Sequence, residues 1–264
     1  MFHDLTDVLV PLFITTRRFG GDVHLLVSNA QPWWLDKFRP LLVGFSRHAV
    51  VDMGRGSRGV LCYPHVILGL EFHKEMSVDA ARTAVEYSMA DFTFLARRSY
   101  GLTRDTAIRL SDGNRSSAVR PRLLLISRKS TRAFTNAGAI ARAAAALGFE
   151  VVVGEPARHA DLPSFARVVV PLGGLDAMAT EEFGAPARDA GLRYVHYGIS
   201  VEESTLARQY PRDHRVLRDP AAVRREGWMA LRAAYLVGQN VTIDVHRFSG
   251  ALRRAMELLR QTHE

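Results

Sequence analysis

Two short, almost purely aliphatic runs, Arg122 to Ser127 (RLLLIS) and Phe149 to Val153, flank an Ala-rich stretch from about Asn136 to Leu147. Apolar runs of that length without alternation suit strands buried on both faces, as in parallel sheets. Parallel neighbours cannot be joined by a hairpin and need a crossover, which the Ala-rich stretch supplies as a helix. This β-loop-α-β order commits the region to an α/β, Rossmann-type lobe. Upstream the signals are mixed. Leu5, Val8, Leu9 and Leu12 recur at helical spacing within Asp4 to Phe13. Asp22 to Ser28, Ala49 to Met53 and Gly59 to Tyr63 read as short strands, the last two around the turn Gly54-Arg55-Gly56-Ser57. Helices are expected from Pro32 to Phe45, from Glu86 to Ser99, from Gly227 to Leu236 and from Gly250 to Gln261. The polar, Gly- and Ser-bearing stretch 111–121, ending in Pro121, is the best linker. The expected division is therefore 1–118, 119–226 and a C-terminal helical segment, 227–264, packing back across the lobes.

Several function classes are excluded early. In 264 residues the longest apolar stretches, such as Val8 to Ile14, fall far short of a bilayer span of roughly 18–20 residues. The start, MFHDLTDVL, has neither the basic nor the apolar region of a signal peptide. A single cysteine, Cys62, rules out an intramolecular disulfide framework and a multi-Cys zinc site, and its place in an expected strand predicts burial. The histidines show no H-x-x-x-H spacing, so no metal site is expected. With 35 Lys+Arg against 27 Asp+Glu the chain is basic, at +8. The arginines are dispersed in pairs such as Arg97-Arg98 and Arg224-Arg225, without interleaved aromatics. Nucleic acid is accordingly not an expected partner.

The sharpest local feature is SRKSTRAFTN, Ser127 to Asn136. It lies at the carboxyl end of an expected parallel strand and just before a helix, where open parallel sheets place their ligands. Arg128, Lys129 and Arg132 supply cationic donors, and Thr135 and Asn136 are the expected helix caps. Phosphate or diphosphate is the natural occupant of such a place, the alternative being an ordinary exposed basic loop. The loop is neither a Walker loop nor GxGxxG, so a kinase or dehydrogenase has no support.

The same residues carry a resemblance. RPRLLLISRKSTRAFTNAGAIARAAAALGFEVVV, then EEFGAPARDAGLRYVHYGISVEESTLARQYPRDHRVLRDPAAVRREGW and YLVGQNVTIDVHRF, resemble the plant branch of glycosyltransferase family 61. FHDLTDVLVPLFITTRRF, PWWLDKFRPLL and GLEFHKE in the first part resemble segments of the same family. That branch holds the xylan arabinosyl- and xylosyltransferases and the N-glycan β-1,2-xylosyltransferase.

The resemblance implies a GT-B-like α/β fold of two Rossmann-type lobes, the first on the acceptor side and the second binding a nucleotide-sugar. It implies inverting transfer of a pentose, xylose or arabinofuranose, from a UDP-sugar to xylan or an N-glycan in the Golgi lumen, alongside other Golgi transferases. No permanently bound cofactor is implied; the UDP-sugar is the donor substrate. Arg128 and Arg132 would clamp the diphosphate, with Lys129 and Thr135 in support. His3, Asp4 and Asp7 would be base candidates, Asp4 having helix capping as its structural alternative. His73 and Lys74 would line the acceptor or phosphate side, or serve structure.

Two departures stand against the family pattern. By the resemblance, the chain is expected to start inside the family's catalytic region, without the tail, signal anchor and stem of a type II Golgi enzyme. Internally, SFARVV runs straight into VPLGGLDAMA, and no HGAGL-type loop occurs anywhere. About one βα unit, on the order of 30 residues, is expected to be missing from the second lobe. Loss of a strand would oblige its neighbours to pair with each other or leave backbone groups unsatisfied. An incomplete donor site with weak or no transfer is therefore expected, the rival being a non-catalytic scaffold or glycan-binding subunit. Asn114-Arg-Ser116 and Asn240-Val-Thr242 are glycosylation sequons suited to a lumenal protein. Trp33, Trp34 and Tyr210 could stack on sugars or pack internally. Ser200 to Glu203 reads as a capping box opening a helix toward Tyr210; Glu202 and Glu203 could instead face the donor, the cap being the simpler account of Glu203.

Overall fold

A computed structural model describes residues 3–55, 60–83, 86–103, 120–126, 128, 131–154, 172–173, 175, 178–189 and 192–260. The described residues are mixed helix and short parallel sheet, and they divide into two compact units. The first holds residues 3–103 with 185–189 and 192; the second holds the remainder from 120 onward. The boundary expected near 118 lies outside the described residues, as does the sequon at 114. Residues 227–260 belong to the second unit.

In the first unit the apolar spacing of Leu5 to Leu12 gives a π-helical turn, Asp4–Leu9, running into α1, Val10–Thr16. A 3-10 turn, Arg17–Phe19, ends at Gly20, whose φ of +58° is a left-handed conformation that glycine adopts without penalty. α2, Pro32–Phe45, opens on a proline whose missing N–H costs nothing there. β1, Leu26–Val27, and β2, Val51–Asp52, pair in parallel and are much shorter than the sequence suggested. Of the strand expected at 59–63, residues 60–63 are described and are irregular, and Cys62 is exposed, not buried. The core is aromatic. Phe13, wholly buried, meets Phe92 edge-on at 5.5 Å and Tyr87 at 6.0 Å, with Phe45 at 6.5 Å.

α3, Met89–Ser99, begins with a capping box. The Asp91 carboxylate accepts from the Ser88 hydroxyl at 2.7 Å and from the Ser88 backbone N–H at 2.8 Å. These bonds hold Asp91 below its ordinary pKa of 3.8. Since the folded pKa lies below the unfolded one, the stabilisation is complete above about pH 4 and disappears as pH falls through the folded value. Asp91→Ala is expected to cost about 1 kcal/mol at neutral pH. It should also flatten the acid limb of a urea-midpoint-against-pH curve; an unchanged midpoint would remove the box as a contributor.

In the second unit β3, Arg122–Ile126, pairs in parallel with β4, Glu150–Gly154, from Arg122↔Glu150 to Ile126↔Gly154. Between them runs α4, Ala137–Ala146, burying Ile140 and Ala144. It stops at Gly148, φ +96°, the left-handed residue that lets the chain turn back into β4. β5, Leu172–Gly173, pairs in parallel with β6, Tyr197–Gly198. α5, Met178–Asp189, lies between them in the chain. Among the described residues the two pairs are separate sheets. β4 has one partner strand there, and Val152 and Val153 are exposed, so the expectation of a strand buried on both faces fails. α6 (Arg215–Arg218), α7 (Pro220–Arg225) and α8 (Trp228–Leu231) surround a second apolar cluster around Leu206 and Tyr235. α9, Val245–Arg260, sends Phe248 and Leu252 into the cluster formed by Leu123, Ile140 and Phe149. Among the described residues no helix is long and apolar enough to cross a membrane.

Candidate functional site

The loop after β3 is where the second unit concentrates polar chemistry. Arg128 and Arg132 are exposed on it; Ser127 and Lys129 lie outside the described residues. Arg132 has φ +53°, a conformation that costs a non-glycine residue energy and so implies firm anchoring. The anchor is a strip of chain 107 residues away, 239–244. The Arg132 N–H donates to Gln239 O and the Thr135 N–H to Val241 O, and the Val241 N–H returns to Ala133 O, each at 2.9 Å. Side chains complete the lattice. Asn240 Oδ1 accepts from the Ala133 N–H at 2.9 Å, and the Thr135 and Thr242 hydroxyls share a bond at 2.6 Å. The Asn136 amide donates to Ile243 O at 2.8 Å and accepts from the Ile243 N–H at 3.1 Å.

This corrects the expected caps. No side-chain cap bond forms at α4, because the polar atoms of Thr135 and Asn136 are spent on the strip. The sequon residues Asn240 and Thr242 likewise bond to this loop, through the Asn240 Oδ1 and the exposed Thr242 hydroxyl.

The strip's other side meets the segment that follows β6. Ser204 bridges Val241 in antiparallel fashion, and the Thr242 N–H donates to Glu203 O at 2.7 Å. The carboxyl-end loops of both parallel pairs therefore converge on one strip, the edge at which α/β sheets bind ligands. At its centre is Glu203, 4% exposed. Its capping box with Ser200 forms as expected, but opens only the 3-10 turn Val201–Glu203. The carboxylate does far more than cap. It accepts from Ser200 N–H at 2.7 Å, Asp244 N–H at 2.7 Å and Tyr197 Oη–H at 2.5 Å, and pairs with the Arg247 guanidinium. Burial raises the Tyr197 phenol pKa, against the opposing pull of Arg247, which keeps it a hydrogen donor at neutral pH. Glu202, beside it on the same turn, is exposed, and bonding to its own backbone N–H and to Ser200 lowers its pKa.

The first-unit candidates behave differently. Asp4 is not a cap: its carboxylate accepts from the Trp34 indole N–H at 2.8 Å, tying the first turn to α2. Desolvation pushes its pKa up, yet hydrogen bonding and nearby cations outweigh that and leave it below the usual value. His3 and Asp7 form an exposed pair, Nδ1 to Oδ2, at 2.9 Å. Trp34 packs on Phe38, whereas Trp33 is half exposed. The His73 side chain is buried: its Nδ1 accepts from the Asp79 N–H at 3.1 Å, so Nε2 carries the proton and faces Glu71 at 3.2 Å. Lys74 is exposed, and Tyr210 stacks on His214 at 4.5 Å.

Glu203 was legible from sequence as a cap but not as a hub. Asn240 reads as a sequon, and Arg247 and Asp244 lie in the family-like segment YLVGQNVTIDVHRF, but no local pattern there gives any of the three a place in the site.

The chain is a homologue of glycosyltransferases. It is 38% identical over 286 aligned positions to the beta-1,2-xylosyltransferase XYXT1 of Oryza sativa subsp. japonica, covering 98% of this chain and 61% of that protein. It is 36% identical over 288 positions to the alpha-1,3-arabinosyltransferase XAT3 of the same species, covering 98% and 49%. To the xylan glycosyltransferase MUCI21 of Arabidopsis thaliana it is 28% identical over 289 positions, covering 96% and 58%. Over nearly its whole length, then, the chain is homologous to the plant family 61 xylan arabinosyl- and xylosyltransferases. It spans roughly half to three-fifths of the length of these relatives. No family model matches the chain.

Proposed function

We propose that the protein is an inverting pentosyltransferase of the family 61 type. It moves xylose or arabinofuranose from a UDP-sugar to xylan or an N-glycan in the Golgi lumen, with a two-lobed, GT-B-like architecture. The observation that carries this is the convergence on strip 239–244 of two carboxyl-end loops, one bearing Arg128 and Arg132, in a chain homologous to xylan transferases. In such a transfer the acceptor oxygen bonds to the anomeric carbon as the bond to UDP breaks, and the acceptor proton passes to a base. Arg128 and Arg132 stabilise the charge gathering on the departing diphosphate. Of HDLTD, Asp7 is the base we favour, since Asp4 is committed to Trp34. No HGAGL-type loop is present and each aligned span exceeds the chain's own 264 residues, which supports an internal gap and slow transfer.

Titration of the full chain with UDP tests the donor site. The parent binds UDP, and Arg132→Ala weakens it about tenfold through loss of a charge-assisted bond. Assays with UDP-xylose and UDP-arabinofuranose on xylan then name the donor. A parent indifferent to UDP would leave a glycan-binding scaffold as the function, and turnover equal to that of an intact relative would refute the impairment.

A further inference from the structure

Arg247 stands in the first turn of α9. Its Nη2 donates to Gly198 O at 3.0 Å and to buried Glu203, and its guanidinium lies over the Tyr197 ring at 4.4 Å. The side chain nevertheless keeps 43% of its surface exposed. A guanidinium has five N–H donors in a planar fork. Among the described residues both bonds are made by Nη2, so the edge formed by Nε and Nη1 is not what holds it. Only the carboxylate of this pair is buried, so the guanidinium is held along one edge while the rest of it stays in solvent. Here a buried carboxylate, a strand-end carbonyl and an aromatic face fix one edge of a cation that solvent still reaches. Such an arrangement pre-organises the remaining edge for an anion.

The place fits. Gly198 is the last residue of β6, so Arg247 sits at the carboxyl end of that strand, and it follows directly on the strip that braces the Arg128–Arg132 loop. The neighbouring carboxylates are accounted for. Asp244 Oδ1 accepts the His246 and Arg247 N–H groups at 2.9 and 3.1 Å, and exposed Glu202 is bonded at Ser200.

We infer that Arg247 is a third cation of the diphosphate site and that Glu203 is its positioning residue. The inference rests on the donor reading above, and the ligand group is the pyrophosphate of a nucleoside diphosphate.

UDP and uridine, titrated side by side against the full chain, separate this role from a structural one. Arg247→Gln should weaken UDP about tenfold and leave uridine unchanged, because uridine has no phosphate to lose. Glu203→Gln should lower the UDP-to-uridine ratio in the same direction by misplacing the guanidinium. Should Arg247→Gln unfold in a thermal melt, Arg247→Lys carries the test, with a severalfold fall in the ratio expected from loss of the fork. An unchanged ratio in the folded variant overturns the inference while leaving the donor site standing. A parent that binds neither ligand overturns both.

Discussion

Glu203→Ala should destabilise the second unit by about 2–4 kcal/mol, since a buried donor left without its acceptor costs about 1–3 kcal/mol. The loss is spread over several groups. Ser200 N–H, Asp244 N–H and Tyr197 Oη–H lose their acceptor at once, and Arg247 loses the carboxylate that holds it. Arg247 is half exposed and recovers solvation, so most of the cost falls on the enclosed donors. Glu203→Gln, which keeps one acceptor oxygen, should cost distinctly less. Glu202→Ala, on the exposed side of the same turn, should lower the urea midpoint far less. Equal midpoints for the Glu203 and Glu202 alanine variants would show that the hub does not hold the unit together.

Phe13→Ala should cost the first unit about 3–5 kcal/mol by combining lost transfer energy with an unfilled cavity. Phe13 is fully buried and contacts three aromatic rings from two other parts of the chain, Phe45 at the end of α2 and Tyr87 and Phe92 around the start of α3, so no single neighbour can move in to refill the space. Phe13→Leu should recover a substantial part. Hydrogen exchange on the alanine variant should show lost protection in α1, α2 and α3. A change of under about 1 kcal/mol would mean that the site collapses freely, contrary to the packing described.

The legible part of the chain was its local part. The aliphatic runs at 122–126 and 150–153, the Ala-rich crossover, α2 from Pro32 and the Ser200–Glu203 box all formed near their expected bounds. Each is specified by residues within a few positions of one another, through apolar period, a proline start or a short side-chain-to-backbone reach. The short strands of the first unit were read too long, because an apolar run reports burial and not ladder pairing. Cys62 illustrates the same gap: its residue type favours burial, yet the described residues around it, 60–63, are irregular.

The site divides along that line. Sequence alone placed Arg128 and Arg132 on a loop at a strand's carboxyl end, and the family resemblance implies a diphosphate as the ligand of such a loop. It assigned Thr135 and Asn136 to helix caps and Asp4 to a cap or base, since those are the nearest uses for their polar atoms. Tertiary structure gave those atoms other partners: strip 239–244 for the loop, and the Trp34 indole for Asp4. It also turned Glu203 from a local cap into the buried centre that holds Arg247. A hydrogen bond between residues 107 apart leaves no periodic trace in the chain, because its two halves are ordinary polar residues until folding brings them within 3 Å.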